Sequence, residues 1–133
     1  MPPIDQARID HLSRLMDERW TREFREIRSL LGTLEDERRR AAFAPHAAGA
    51  SDEALLALLA DIDDPLIQQN LQDVRDIAGA RRRIGDGSYG LCLACGDDIA
   101  YERLLAYPTA KRCIECQRAH ERRKAAPGAA PGN

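Results

Sequence analysis

Four cysteines are the residues of this chain whose type and spacing most clearly indicate chemistry. They follow the pattern Cys-x2-Cys-x17-Cys-x2-Cys, with Cys92 and Cys95 in the first pair and Cys113 and Cys116 in the second. Two residues between paired cysteines let both thiolates face one tetrahedral centre, and the intervening loop can bring the second pair to it. Gly96 follows the first pair, where such a turn often needs a positive φ. Because four thiolates leave no open coordination position, the pattern predicts one structural zinc ion.

Other chemical interpretations have weaker support. A redox Cys-x-x-Cys motif would need a βαβ context, which is missing, whereas an iron–sulfur cluster stays an open alternative to zinc. The histidines are not needed as ligands, and the acidic run in the middle of the chain is typical of a solvated face or a helix cap. These residues are His11, His46, His120, Asp61, Asp63 and Asp64. The sequence contains no Ser-His-Asp set, phosphate-binding loop or His-Glu-x-x-His motif, so we do not expect an enzyme.

The composition favours helices over a thick β core. The 133 residues are 44% hydrophobic, 5% aromatic and 32% charged, so most of the apolar mass is Ala, Leu and Ile. Such side chains suit helices that pack along narrow seams. No apolar run approaches the roughly 18–20 residues of a membrane span, and no signal segment follows the first residues. We expect a cytoplasmic protein with no membrane partner, in which disulfides are not expected.

Charge is distributed unevenly along the chain. Residues 1–40 hold nine acidic and nine basic residues, whereas residues 51–76 hold seven acidic residues against Arg75 alone. Residues 77–133 hold ten basic and six acidic residues, for a net charge of +4. An acidic middle and a basic end indicate partners of different local charge rather than one basic surface for nucleic acid.

The first part of the chain is predicted to form one helix from Asp5 to about Arg40. Its apolar residues recur at steps of three and four, which places them on a single helical face. They are Ile9, Leu12, Met16, Trp20, Phe24, Ile27, Leu31 and Leu34.

A turn is predicted in residues 41–51. Pro45 and Gly49 interrupt the helical pattern there. Ser51 or Asp52 can then cap a second helix, because both side chains accept hydrogen bonds from the free N–H groups of a helix start.

The second helix is predicted to continue to about Gly85. Its apolar positions are Leu55, Leu59, Ile62, Leu66, Val74, Ile77 and Ile84. Pro65 lies inside this segment, where proline removes a backbone donor and clashes with the preceding turn. We therefore expect either a kink or a fresh helix start capped by Asp63 or Asp64.

Two helical segments of similar length, each with one narrow apolar stripe, are expected to pair as a hairpin. The alternative is one long helix that dimerises between chains, but a proline and a glycine lie where the hairpin must turn, and we expect a monomer. The predicted fold is mainly α: a long antiparallel helical hairpin, close to a coiled coil, in residues 1–86 with its tip near 42–53. A small four-cysteine zinc finger with a C-terminal helix follows in residues 87–124, and residues 125–133 are predicted to be a disordered tail.

Residues 87–121 resemble the zinc finger of the DksA/TraR family of bacterial transcription factors. The residues that carry the resemblance surround the cysteines: Tyr89, Gly90, Gly96, Ile99, Arg103, Leu104, Ala106, Pro108, Thr109, Ala110 and Ile114. The predicted hairpin also matches the family's other half by architecture. The resemblance implies a regulator that binds RNA polymerase, inserts its hairpin into the secondary channel and modulates initiation without chemistry of its own.

The family has a tip motif, Asp-x-x-Asp-x-Ala, that bears on this function. An ungapped count back from the first zinc cysteine places Gly49, Asp52 and Ala54 at its defined positions. The resemblance therefore implies that Asp52 and Ala54 contact polymerase, whereas Gly49 departs from the first aspartate. The alternative for Asp52 is a plain helix cap.

The resemblance also implies a polymerase contact in the finger. Arg103, before a leucine, matches a family arginine associated with that contact, and the alternative is a surface salt bridge with Glu102 or Asp98. A DNA-binding finger is a further alternative because GATA-type fingers share the cysteine spacing, and a non-catalytic scaffold is another. The loop from Gly96 to Arg112 carries three acidic and three basic residues, so direct DNA binding is not expected.

A last implication concerns guanosine tetraphosphate, which DksA binds through basic side chains at its interface with polymerase. The same ungapped count places four residues without positive charge at those positions: Gln69, Asp76, Tyr107 and Gln117. None supplies a fixed charge to phosphates, and a carboxylate would repel them. We expect regulation that does not depend on this alarmone.

Overall fold

The computed structural model describes residues 4–33, 38, 41 and 49–125. Within them the chain forms the helices α1 (Gln6–Gly32), α2 (Asp52–Leu59), α3 (Pro65–Asp86), α4 (Tyr101–Ala106) and α5 (Ile114–Ala125). Extended structure in the described residues is limited to one antiparallel bridge between Leu91 and Asp98. The prediction of a mainly α fold is confirmed. None of the helices in these ranges is long and apolar enough to cross a membrane.

Helix α1 begins where the sequence indicates and ends earlier than predicted. The Asp5 carboxylate accepts the N–H of Arg8 at 2.8 Å, as an N-terminal cap does. The helix ends at Gly32 rather than near Arg40, and the hydroxyl of Thr33 donates to the carbonyl of Leu30 at 3.0 Å. Glycine followed by a β-branched residue that bonds back to the helix favours termination. At about 1.5 Å per residue, the 27 residues of α1 extend about 40 Å.

The predicted turn is only partly within the described residues. Pro45 and His46 lie outside them, as does the predicted tail from residue 126 onwards. Ser51 is the cap of α2, and its hydroxyl accepts the N–H of Ala54 at 3.2 Å. Of the two cap candidates, Ser51 therefore takes the role, and Asp52 is the first residue of the helix.

The second arm consists of two helices rather than one. One carboxylate oxygen of Asp64 accepts the N–H groups of Leu66 at 3.0 Å and of Ile67 at 3.1 Å. Pro65 takes the first helical position, where its missing N–H has no consequence and its fixed φ suits the helix. The prediction of a fresh start capped by Asp64 is confirmed. The side-chain amide of Gln68 donates to the carbonyl of Ile62 and closes the turn between α2 and α3.

The contacts of the chain divide it into two compact units, and Asp17–Ala78 forms the first. Its core joins one face of α1 to α2 and α3 through Phe24, Ile27, Leu31, Leu55, Leu59, Ile62, Ile67, Leu71 and Val74. In this unit, α1 and α3 run antiparallel, and Arg19 pairs with Asp73 at 3.4 Å. This core explains why helices with narrow apolar stripes are stable here, because each stripe is buried by the other helices.

The second unit combines the start of α1 with the chain from Gly79 onwards. The Tyr89 hydroxyl donates to the carbonyl of Pro108 at 2.8 Å, and the Arg8 guanidinium lies 4.4 Å from the Tyr101 ring centre. Gly90 has a φ of 87°, and a Cβ there would lie 3.3 Å from Cγ2 of Ile4. Glycine is therefore required at this position both for backbone conformation and for close packing.

Candidate metal centre and the Asp52 carboxylate

The four cysteines converge on one point. Their Sγ atoms all lie within 4.8 Å of one another, and those of Cys95 and Cys113 are 4.0 Å apart. A tetrahedral zinc ion with Zn–S bonds of about 2.3 Å requires sulfur–sulfur distances of about 3.8 Å. The four thiols therefore fit a tetrahedral zinc site. Among the described residues, neither a histidine nor the acidic run at Asp61, Asp63 and Asp64 joins such a group.

Backbone hydrogen bonds build the first cysteine turn and tie it to the segment before the second pair. The Cys92 N–H donates to the carbonyl of Asp97 at 2.8 Å, and the Gly96 N–H donates to the carbonyl of Cys92 at 2.9 Å. Gly96 has a φ of 78°, as the sequence predicts for this turn. The Leu93 N–H donates to the carbonyl of Lys111 at 2.8 Å, which ties the first cysteine pair to the segment before the second. The backbone thus determines the thiol positions.

Electrostatics within the cluster favour a bound cation. Burial opposes ionisation of the Cys92 thiol, but hydrogen bonds from the backbone N–H groups of Cys113, Cys95 and Ala94 outweigh it and lower its pKa to about 6. The neighbouring thiols, Cys113 first, raise the pKa of Cys116 to about 12. Four adjacent thiols cannot all ionise at neutral pH without a compensating charge, which zinc supplies as it displaces protons.

Arg103 has an internal partner that the sequence did not suggest. Its Nε donates to the carbonyl of Arg112 at 3.0 Å, next to Cys113. No ion pair of Arg103 with Glu102 or Asp98 occurs in this described part of the finger. This hydrogen bond supports the segment that leads into the second cysteine turn. Because Arg103 is half-buried, part of its surface stays accessible.

The carboxylate of Asp52 is held by two side chains of α1. Trp20 Nε1 donates to Oδ2 at 2.7 Å, and an Arg28 nitrogen lies 3.2 Å from Oδ1. Arg28 also donates to the carbonyl of Ala50 at 3.1 Å. The plain cap that was the alternative for Asp52 is therefore wrong, because Ser51 has that role. Ala54 is exposed in the first turn of α2.

The location of Asp52 differs from that in a continuous hairpin. The Arg19–Asp73 pair sets the register between α1 and α3. Asp52 precedes Asp73 by 21 residues, so an unbroken antiparallel arm would place it opposite residue 40. It instead contacts Trp20 and Arg28, because the break between α2 and α3 redirects the chain. Sequence reasoning treated Trp20 only as a core residue, although the N–H of a half-buried tryptophan usually has an acceptor.

The four positions expected to lack alarmone contacts carry polar side chains without positive charge. Gln69 is exposed, and Asp76 is half-buried and accepts Gln72 Nε2 at 3.0 Å. Tyr107 is exposed, and Gln117 Nε2 donates to Glu121 at 3.1 Å. The two glutamines, the phenol and the carboxylate bring no positive charge to their surroundings.

Comparison with known proteins gives consistent results. A sequence model of the "Prokaryotic dksA/traR C4-type zinc finger" family matches residues 87–122. The chain is 37% identical over 107 residues to the RNA polymerase-binding transcription factor DksA of Caulobacter vibrioides, an alignment that covers 79% of this chain and 70% of that protein.

Solved structures extend the similarity to the fold. Transcription factor DksA2 from Pseudomonas aeruginosa is 28% identical with a TM-score of 0.54, and 92% of this chain matches 89% of that one. The DnaK suppressor protein from Agrobacterium tumefaciens C58 is 25% identical with a TM-score of 0.56, and 84% of this chain matches 92% of that one.

Proposed function

Because this chain belongs to the DksA/TraR family of C4 zinc-finger proteins, we propose that it is a transcription regulator that binds RNA polymerase. The alignment with the Caulobacter vibrioides factor carries this proposal, since it spans 79% of the chain and therefore helical arms as well as finger. In this proposal the arms enter the secondary channel of polymerase and modulate initiation. The regulator has no catalytic activity of its own.

We assign the zinc ion a structural role in this function. Cys92, Cys95, Cys113 and Cys116 are its proposed ligands, supported by the convergence of their Sγ atoms within 4.8 Å. A four-thiolate site has no open position for a substrate, so the role of the zinc is structural. Bound zinc supplies folding free energy to a module whose own core is small.

The proposed domain division remains 1–86 for the hairpin with a tip near 42–53, 87–124 for the finger and 125–133 for the tail.

Three residues are the proposed polymerase contacts. The Asp52 side chain is 40% exposed, so its carboxylate can reach a partner. Ala54 presents a small side chain in the same helical turn, which allows close approach of another surface. Arg103 is half-buried, so part of the residue stays accessible beyond its hydrogen bond to Arg112.

The effect on transcription is proposed to be independent of guanosine tetraphosphate. Phosphates that leave water need cationic partners, and the relevant positions carry Gln69, Asp76, Tyr107 and Gln117 instead. We also propose that the protein does not bind DNA directly, because the finger loop from Gly96 to Arg112 has no net positive charge. The proposed oligomeric state is a monomer.

Measurements on the full-length protein test this function. Co-purification with core RNA polymerase should succeed, and a salt-dependent titration with duplex DNA should show no comparable affinity. A photocrosslinker at residue 52 should label polymerase around the secondary channel. The proposal is wrong if the protein binds DNA but not polymerase. Potentiation by guanosine tetraphosphate on a polymerase whose own alarmone site has been removed would refute the alarmone statement alone.

A further inference from the structure

The orientation of the Asp52 carboxylate is fixed by residues outside the family's tip motif. We infer that Trp20 and Arg28 are positioning residues, which hold this carboxylate in the orientation in which it meets a cationic group of the polymerase. The inference rests on the proposed function and adds two residues from the middle of α1 to the surface that carries it.

The contacts restrain the carboxylate from both sides. Trp20 donates to Oδ2 at 2.7 Å and Arg28 contacts Oδ1 at 3.2 Å, so each oxygen has one partner. These two contacts together restrict rotation of the carboxylate and of the side chain as a whole. A carboxylate offers about four lone-pair sites, so about two remain for an external partner. The 40% exposure of the Asp52 side chain leaves such a partner room to approach.

Arg28 also fixes the backbone next to the carboxylate. The same guanidinium nitrogen that contacts Asp52 donates to the carbonyl of Ala50 at 3.1 Å. Ser51 then caps α2 through the N–H of Ala54. One arginine therefore orders both the chain that enters α2 and the first side chain of that helix.

The burial of α2 indicates whether the Asp52 carboxylate stays beside Trp20 and Arg28 or separates from them when polymerase binds. Leu55 and Leu59 follow Asp52 in α2 and have no exposed surface. Lifting α2 from α1 would expose both leucines, which costs more than a half-exposed ion pair can return. The polymerase must therefore meet the carboxylate where it lies, beside Trp20 and Arg28. Its orientation there depends on those two side chains.

Substitutions in the full-length protein test the inference by separating binding from effect. Arg28→Gln should weaken the effect on initiation roughly three- to tenfold while polymerase affinity changes less than about twofold. Trp20→Phe, which keeps an aromatic ring and removes the donor, should have a smaller effect of the same sign. Arg28→Lys should rescue part of the loss because it restores the charge without the planar fork. Arg25→Gln, an exposed change on the same helix, is the matched control and should be neutral.

A double-mutant cycle shows whether Arg28 acts through Asp52. If it does, Arg28→Gln should add nothing to the loss in an Asp52→Asn background. Additive losses would mean that Arg28 contacts polymerase directly. The inference would also be overturned if the Arg28→Gln variant affected initiation as strongly as the wild-type protein, or more strongly. If Asp52→Asn is itself neutral while polymerase binding persists, the role of Asp52 in the proposed function is wrong as well. Circular dichroism of each variant identifies any loss caused by unfolding.

Discussion

The contacts of Asp52 predict a specific difference between two substitutions at that position. Asp52→Asn keeps an amide oxygen that can accept the Trp20 N–H but removes the charge that pairs with Arg28. A half-exposed ion pair contributes about 0.2–1 kcal/mol. Negative charge in the first turn of a helix contributes roughly 0.3–1 kcal/mol. Since solvent screens both at this exposure, we expect Asp52→Asn to lower the unfolding free energy by about 1 kcal/mol.

Asp52→Ala also removes the acceptor of the Trp20 N–H. Loss of the partner of a buried donor costs about 1–3 kcal/mol, and the low end applies to this half-buried site. The expected total loss is about 2 kcal/mol. Urea unfolding followed by Trp20 fluorescence is a suitable assay, because Trp20 is the one tryptophan in the chain and lies in the unit Asp17–Ala78.

Glu53→Gln provides the matched control for these measurements. Glu53 is exposed in the same first turn of α2. The decrease in unfolding free energy caused by Glu53→Gln should therefore report only the favourable effect of negative charge at the helix start, roughly 0.3–1 kcal/mol. Equal losses for Asp52→Asn and Asp52→Ala would refute the hydrogen bond from Trp20. An Asp52→Asn loss no larger than that of Glu53→Gln would mean that Arg28 contributes nothing measurable.

Three further predictions concern the finger and α3. Cys113→Ser should unfold the finger but leave much of the helicity of Asp17–Ala78, because that unit has its own core. Metal analysis that finds no zinc in wild-type protein purified without chelator would contradict the structural role of zinc. Burial raises the pKa of Tyr89 from 10 to about 12, so stability from this residue is present below pH 10 and lost as pH rises through 12. An absorbance titration should show one tyrosine ionising near pH 12, and its persistence in Tyr89→Phe would refute the assignment. Asp64→Ala should cost about 1 kcal/mol in urea unfolding, and a neutral result would mean that Pro65 alone starts α3.

Local chemistry explains why parts of the fold could be predicted from sequence. The cysteine spacing and the glycine after the first pair specify a turn with few solutions, and the structure has it at Gly96. Pro65 after Asp64 likewise combines two signals for a helix start that agree with each other. By contrast, the apolar stripe continues past Gly32 in sequence, so periodicity alone extended α1 to Arg40. Helix propensity and the Thr33 hydroxyl outweigh that periodicity.

The partners of Asp52 could not be predicted because they depend on tertiary register. Trp20 falls on the apolar stripe, and nothing in a linear pattern shows that its N–H meets a carboxylate 32 residues away. Ungapped counting assumed a continuous second arm, which the break before Pro65 removes. Once an arm is broken, the position of every residue before the break depends on the geometry of the turn rather than on helical periodicity.

The two charged residues proposed to contact polymerase share a property that bears on how they would bind. Asp52 is anchored by Trp20 and Arg28, and Arg103 is anchored by the carbonyl of Arg112. A side chain that is already ordered in the free protein meets its partner in one defined geometry, as a group that must be positioned requires. Each anchor leaves part of its residue exposed, so restraint and access coexist. Residues that hold such side chains therefore influence the effect on initiation without touching the partner, which is the reason substitutions at Trp20 and Arg28 should alter regulation while polymerase binding persists.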